Sequence, residues 1–214
     1  MSAVLCKLCE KKRAKRHCPG VDGEICPSCC GSERENTIDC PLDCVFLLEA
    51  RMHERPAPIT MESLPNADVR LSESFLHEHE PLVLWLAFSL CSAMEKERAV
   101  DSDAGEALEA LIRTYRTMDS GLIYETRPQN PYAAGLQEAI KKAVEEARER
   151  LVKQSGLVEQ SGVANALRDK DILGALVFLQ RMGLEYQNGR RRGRAFLHVL
   201  KTWFPAEKQT ALAL

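Results

Sequence analysis

No stretch of this chain is apolar for long enough to cross a bilayer. The longest uninterrupted run, Leu82 to Phe88, falls far short of the roughly 20 residues a spanning helix needs. The opening Met-Ser-Ala-Val-Leu-Cys has no basic segment leading into an apolar one. A secretory leader is therefore not expected, and the chain is expected in the cytoplasm with no membrane partner. Neither sign of charge dominates: 29 Lys and Arg against 31 Asp and Glu leave a formal net charge of -2. Bulk charge thus selects neither nucleic acid nor membrane as a partner. Aromatic residues are scarce, at 6%, and none precedes Phe46. The N-terminal region has no stacking platform for single-stranded nucleic acid. Glycine-rich dinucleotide and Walker A motifs are missing, as is a G-x-S-x-G elbow, and His77-Glu78-His79 does not make H-E-x-x-H. No paired carboxylates stand out, so no catalytic residues are assigned.

What the chain does have is a hydrophobic content of 45% over 214 residues, enough for one ordinary domain and a smaller one. It also has nine cysteines, eight of them within the first 44 residues: Cys6, Cys9, Cys18, Cys26, Cys29, Cys30, Cys40 and Cys44. A reducing compartment argues against a disulfide framework and for metal. Cys6 and Cys9 form one C-x-x-C pair, and Cys26 and Cys29 another. Such a tight turn lets one tetrahedral zinc take both sulfurs at about 2.3 Å. Cys40 and Cys44 are spaced like neighbours on one helical turn.

Eight thiols match two four-cysteine sites. An interleaved arrangement pairs Cys6 and Cys9 with Cys26 and Cys29, leaving Cys18, Cys40 and Cys44 for a second ion with Cys30 as fourth ligand. Asp22 and His17 are further candidates for that place, both being ligand types zinc accepts. A single-zinc module using part of the set remains open. Abundant thiolate points to closed, structural sites, with two Zn2+ replacing a core that fifty residues cannot build.

The order of pairs resembles the cross-braced zinc fingers of the B-box and HIT classes, on the run Cys6-x2-Cys9-x8-Cys18-x7-Cys26-x2-Cys29. In that pattern Asp22 falls near an acidic ligand position. Cys40 and Cys44 correspond to final ligands that B-boxes commonly supply as histidines. The resemblance covers about a fifth of the chain, and implies a structural zinc fold of a kind that often mediates protein contacts.

Two basic runs stand out. Lys11, Lys12, Arg13, Lys15 and Arg16 lie between the first pair and Cys18; Arg190, Arg191, Arg192 and Arg194 follow an Asn188-Gly189 turn. Both could contact phosphates, and they gain force as a nucleic-acid surface if the fold brings them together. Otherwise they read as solvated loops.

The pattern divides the chain into a cysteine-rich zinc-binding module (1–55), a proline-containing linker (56–70), an all-α helical bundle domain of about five helices (71–205) and a tail (206–214). A helix starting near Asp43 is expected to carry Cys44 and to end before Pro56. Beyond the linker, a short turn capped by Ser72 or Ser74 precedes a mostly apolar helix starting near Pro81. Periodic segments follow at about Asp103 to Met118, Ala133 to Lys153, from Asp169 or Asp171, and Ala195 to Phe204. Cys91 stands apart as a buried thiol.

These features together predict a non-enzymatic regulatory or interaction protein with a protein partner. The alternatives are a nucleic-acid-binding protein using the two basic runs, and a thiol-based redox sensor.

Overall fold

The computed structural model describes residues 4–55, 60, 64–121, 124–155 and 167–204, with only the backbone described at 152–155. Expectations for Pro56 and Pro58, for the stretch between Gly156 and Gly162, for Pro205 and for the tail lie outside these residues. Two separate apolar cores are present, one in the cysteine region and one among the later helices. The architecture is a small cysteine-centred module followed by a helical bundle.

The module is built on a two-stranded antiparallel hairpin, β1 (Arg16–Cys18) and β2 (Gly23–Ile25), in the register Arg16↔Ile25, His17↔Glu24, Cys18↔Gly23. Two short helices follow, α1 (Pro27–Glu33) and α2 (Val45–Arg51). α1 starts where Pro27 supplies a preset φ and lacks an N–H the first turn could not use. The helix expected to carry Cys44 begins one residue later. Cys44 is its N-cap, in extended backbone, and Cys40 lies in the preceding loop, so the two do not share a helical turn.

The bundle comprises α3 (Glu73–Glu78), α4 (Glu80–Glu97), α5 (Asp101–Asp119), α6 (Pro131–Ser155), α7 (Asp169–Tyr186) and α8 (Ala195–Trp203). Among the described residues that is six helices where about five were expected, because the turn capped by Ser72 closes into α3, with the Phe75 N–H donating to Ser72 Oγ at 3.1 Å. α4 packs against α6 and α7, and α5 against the same two, making a four-helix layer on which α8 sits. α4 buries Leu82, Val83, Leu86, Leu90 and Met94 on one face, and Leu84, Trp85 and Phe88 on the others are partly buried against the same core, as its nearly continuous apolar sequence requires. Among the described residues no helix is long and apolar enough to cross a membrane.

Residues 64–71, partly assigned to the linker, are strapped onto the bundle. The Arg181 guanidinium donates to the carbonyls of Pro65, Asn66 and Val69. Arg116 binds both carboxylate oxygens of Asp68, at 2.6 and 2.7 Å. Val69 and Leu71 pack against the main core.

Candidate metal centre

Local backbone bonds bring Cys6 and Cys9 beside Cys26 and Cys29, across some twenty residues. The first knuckle turns at Glu10, whose φ of 54° is left-handed and whose N–H donates to the Cys6 carbonyl at 2.8 Å. The Cys6 N–H donates to the Lys12 carbonyl, closing the knuckle on itself. The knuckle is then hung on β2: the Lys7 N–H donates to the Glu24 carbonyl at 2.8 Å, and the Lys15 N–H to the Ile25 carbonyl at 3.0 Å. Cys26 follows Ile25 directly and caps α1, its Sγ accepting the Cys29 N–H at 3.4 Å.

The result is a tetrad. The sulfurs of Cys6, Cys9, Cys26 and Cys29 all lie within 4.8 Å of one another. Four thiolates about 2.3 Å from a zinc ion stand roughly 3.8 Å apart, so the group fits one tetrahedral ion. Cys6 and Cys26 are buried and the other two half-buried. Burial by itself would push Cys6 up, but the N–H groups of Cys26, Cys9 and Leu8 outweigh it and hold the thiol at about 6. The N–H groups of Lys11 and Lys12 likewise lower Cys9. Cys29 goes the other way, to about 12, because it shares its proton with the Cys26 sulfur and is desolvated. Thiols that share protons when metal-free must release them to a divalent ion, which makes binding proton-linked. With four protein sulfurs available, no position is left for water, the arrangement of a structural rather than a catalytic zinc.

Among the described residues this is the one group that closes so tightly. The remaining four N-terminal cysteines nevertheless converge. Cys18 ends β1, Cys30 is buried on α1, Cys40 lies in the loop after it and Cys44 caps α2. All four line one small cavity of about 10 Å³, with Ile25 and Leu47 in its wall. Arg16 reaches into it, its Nη1 donating to Cys30 Sγ at 3.3 Å while its guanidinium stacks 4.3 Å above the Phe46 ring. Burial raises Cys40, and the neighbouring Cys18 and Cys44 add to this against the pull of the Glu35 N–H. Gly20 is required here by close approach: a Cβ would stand 2.6 Å from Ile38 Cγ2 and 2.7 Å from the Asp39 carbonyl oxygen.

The two other candidate ligands sit apart from the tetrad. Asp22 is exposed, in the left-handed turn of the hairpin, where its carbonyl accepts from Lys7 Nζ at 2.8 Å. His17 reaches the cavity rim, and its Nδ1 lies 3.3 Å from the cross-strand Glu24 carboxylate. Cys91 is buried in the bundle core, far up its titration range at about 12 through desolvation.

The two basic runs have different surroundings. Lys11, Lys12, Arg13 and Lys15 are exposed on the module, Lys12 donating to Ser28 Oγ at 3.1 Å, and Arg16 turns inward. Arg191 and Arg192 are exposed at their side chains. Arg190 and Arg194 are spent on the module itself. Arg190 Nη1 donates to the Arg34 carbonyl at 2.6 Å, and Arg194 pairs with Asp39 at 2.9 Å. The centre of this joint is Glu35, 1% exposed and held at φ 51°. Its carboxylate accepts from Arg51 Nη2 (2.8 Å), Asn188 Nδ2 (2.8 Å) and the Arg194 N–H (3.0 Å), and its carbonyl from the Arg192 N–H (2.7 Å). Sequence reasoning passed over Glu35, since a single acidic residue between cysteines carries no periodic or spacing signal.

Compared with known proteins, the chain matches no family model, no curated protein and no solved structure.

Proposed function

We propose that this is a non-enzymatic interaction protein of the cell interior, whose zinc module (1–55) and helical domain (71–205) present a surface to another protein. The observation that carries the reading is where the exposed apolar side chains lie. Of the seven large ones among the described residues, Val4, Leu5, Leu8, Val45 and Met52 are all on the module, and only Tyr124 and Tyr132 are elsewhere. A region of some fifty residues whose own core is five cysteines with only Ile25, Ile38 and Leu47 beside them is stiffened by metal, and displays aliphatic groups on the stiffened frame. On this reading the eight N-terminal thiols hold two structural zinc ions in the interleaved manner of the B-box and HIT fingers that the module resembles.

Affinity capture with a paired control tests it. Wild type, a Leu5→Glu/Leu8→Glu variant that retains zinc, and a Cys26→Ser/Cys29→Ser variant are compared as bait for the same protein mixture. A partner held by the wild type alone supports the reading. Equal capture by the metal-free, unfolded module removes it.

A second reading rests on the exposed cluster of Lys11, Lys12, Arg13 and Lys15. It predicts association with DNA or RNA that weakens steeply as salt rises. A gel shift with no complex at about 50 mM salt, where phosphate contacts are still strong, eliminates it. The redox-sensor alternative requires one rapidly reacting thiol in the zinc-loaded protein, which thiol titration detects.

A further inference from the structure

We infer that Cys18, Cys30, Cys40 and Cys44 hold a thiophilic divalent ion, zinc by its ligand set, and that this ion is the latch fastening the module to the helical bundle. The inference rests on the two-zinc reading above and goes beyond it by giving the second ion a task.

The site is argued from convergence. Four cysteines from four separate stretches of chain line one small cavity, with Ile25, Ile38, Phe46 and Leu47 in its wall. Thiols gathered in such a place are costly as isolated thiolates and cheap as ligands of a dication. Arg16, 3.3 Å from Cys30 Sγ, supplies positive charge that offsets the excess negative charge of a four-thiolate centre.

The latch is argued from where the bundle grips. The loop 188–194 binds the module through Gly31 and Arg34 carbonyls, the Glu35 carboxylate and carbonyl, and the Asp39 carboxylate. Every one of these groups lies between Cys30 and Cys40. An ion bound to both residues closes that loop and lowers the chain entropy opposing its ordered form. Without the ion the loop is held by weaker means: three N–H groups, of Asn36, Thr37 and Ile38, crowd on the single Glu33 carbonyl at 3.1 to 3.2 Å. The same ion positions the other half of the joint. Cys44 caps α2, and α2 ends in Arg51, whose guanidinium meets Glu35. The two partners of the buried pair are thus placed by ligands of one ion. The first tetrad, by contrast, has none of its ligands in the gripped loop.

The full-length protein tests this with two readouts: zinc per chain by elemental analysis, and hydrogen exchange of the Arg192 and Arg194 amides, which donate directly to Glu35. Wild type should hold two zinc ions with both amides protected. Cys44→Ser should hold one, with both amides exchanging at least about tenfold faster and amides inside α4 and α5 unchanged. Cys9→Ser should also hold one ion but keep the two amides protected. A wild-type content of one ion, unchanged in Cys44→Ser, overturns the second site. A fall from two to one with the amides still protected overturns the latch and leaves the site standing. A wild-type content of zero instead removes the zinc reading on which both depend. Cys18→Ser keeps the latch falsifiable if Cys44→Ser does not fold, because it takes a ligand of the same ion from outside the gripped loop and outside α2. It should hold one ion and open both amides, and one ion with both amides still protected also overturns the latch.

Discussion

Replacing Glu35 with Gln changes one atom's chemistry at the centre of the joint and keeps its shape. In the native protein the Glu35 and Arg51 side chains are 1% and 7% exposed and 2.8 Å apart. Removing one partner of such a pair leaves an uncompensated buried charge, at a cost of about 3–5 kcal/mol. Arg51 has little to fall back on, since its Nε and Nη1 are buried with no hydrogen-bond partner among the described residues. Gln retains one acceptor oxygen but turns an NH2 toward donors: Arg51, Asn188 Nδ2 or the Arg194 N–H. With the Gln oxygen in the Oε1 place, the bonds from Arg51 and the Arg194 N–H survive and one donor–donor contact appears, with Asn188 Nδ2, which places the expected loss near the lower end, about 3 kcal/mol. The reasoning also predicts a rescue. Adding Arg51→Met takes the stranded cation away, so the double variant should recover about 2 kcal/mol of that loss, as expected for residues in direct contact. Chemical denaturation of the full-length protein with zinc present measures both, as midpoint shifts at unchanged slope. A loss below about 1 kcal/mol, or a double variant no better than the single, refutes the account of Glu35 as a buried counter-charge.

Three further expectations follow from particular contacts. The Asp101 carboxylate accepts the Phe196 and Leu197 N–H groups at the start of α8, yet burial outweighs them and lifts it from 3.8 to about 6. Its folded value lies above its unfolded one, so its contribution is complete below about pH 4 and lost as pH rises through 6. Wild-type stability should therefore fall relative to Asp101→Asn between those values, by up to roughly 3 kcal/mol, and a difference that stays flat with pH contradicts this. In Gly174→Ala the new Cβ falls inside contact distance of the Phe75 ring, pressing α3 off α7. Overpacking of this kind costs about 1–3 kcal/mol, read as a lowered melting temperature. Burial holds Cys91 near 12, so its thiol should stay silent to a thiol reagent in the native zinc-loaded protein and react only on unfolding. Fast labelling at Cys91 would show that the α4 core opens readily.

Local sequence determined much of this protein by itself. The C-x-x-C knuckles at Cys6–Cys9 and Cys26–Cys29 announce a tetrahedral thiolate site, because two sulfurs three residues apart already sit at ligand spacing. The long helices are equally legible: α7 starts at Asp169, the first of the two starts expected, and α4 lies one residue from the start that Pro81 suggested. Their signal is a periodicity repeated over several turns, each turn adding to it. The short elements had no such redundancy. α1, seven residues that seat Cys29 and Cys30, is tied to the first knuckle through Lys12 Nζ and Ser28 Oγ; β2 is held by the Lys7 and Lys15 N–H groups and β1 by its pairing with β2, and nothing in their composition shows it. The fate of the arginine run was decided only in three dimensions. A run of four arginines in five residues looks the same whether it faces phosphate, water or a buried carboxylate. Here Glu35, some 150 residues away, claims the loop, because a carboxylate taken out of water must find donors and the 188–194 turn brings Asn188 Nδ2 and the Arg194 N–H to it. The thiols wrote the metal chemistry into the first 44 residues; the joint that ties that module to the bundle exists only where the chain comes back upon itself.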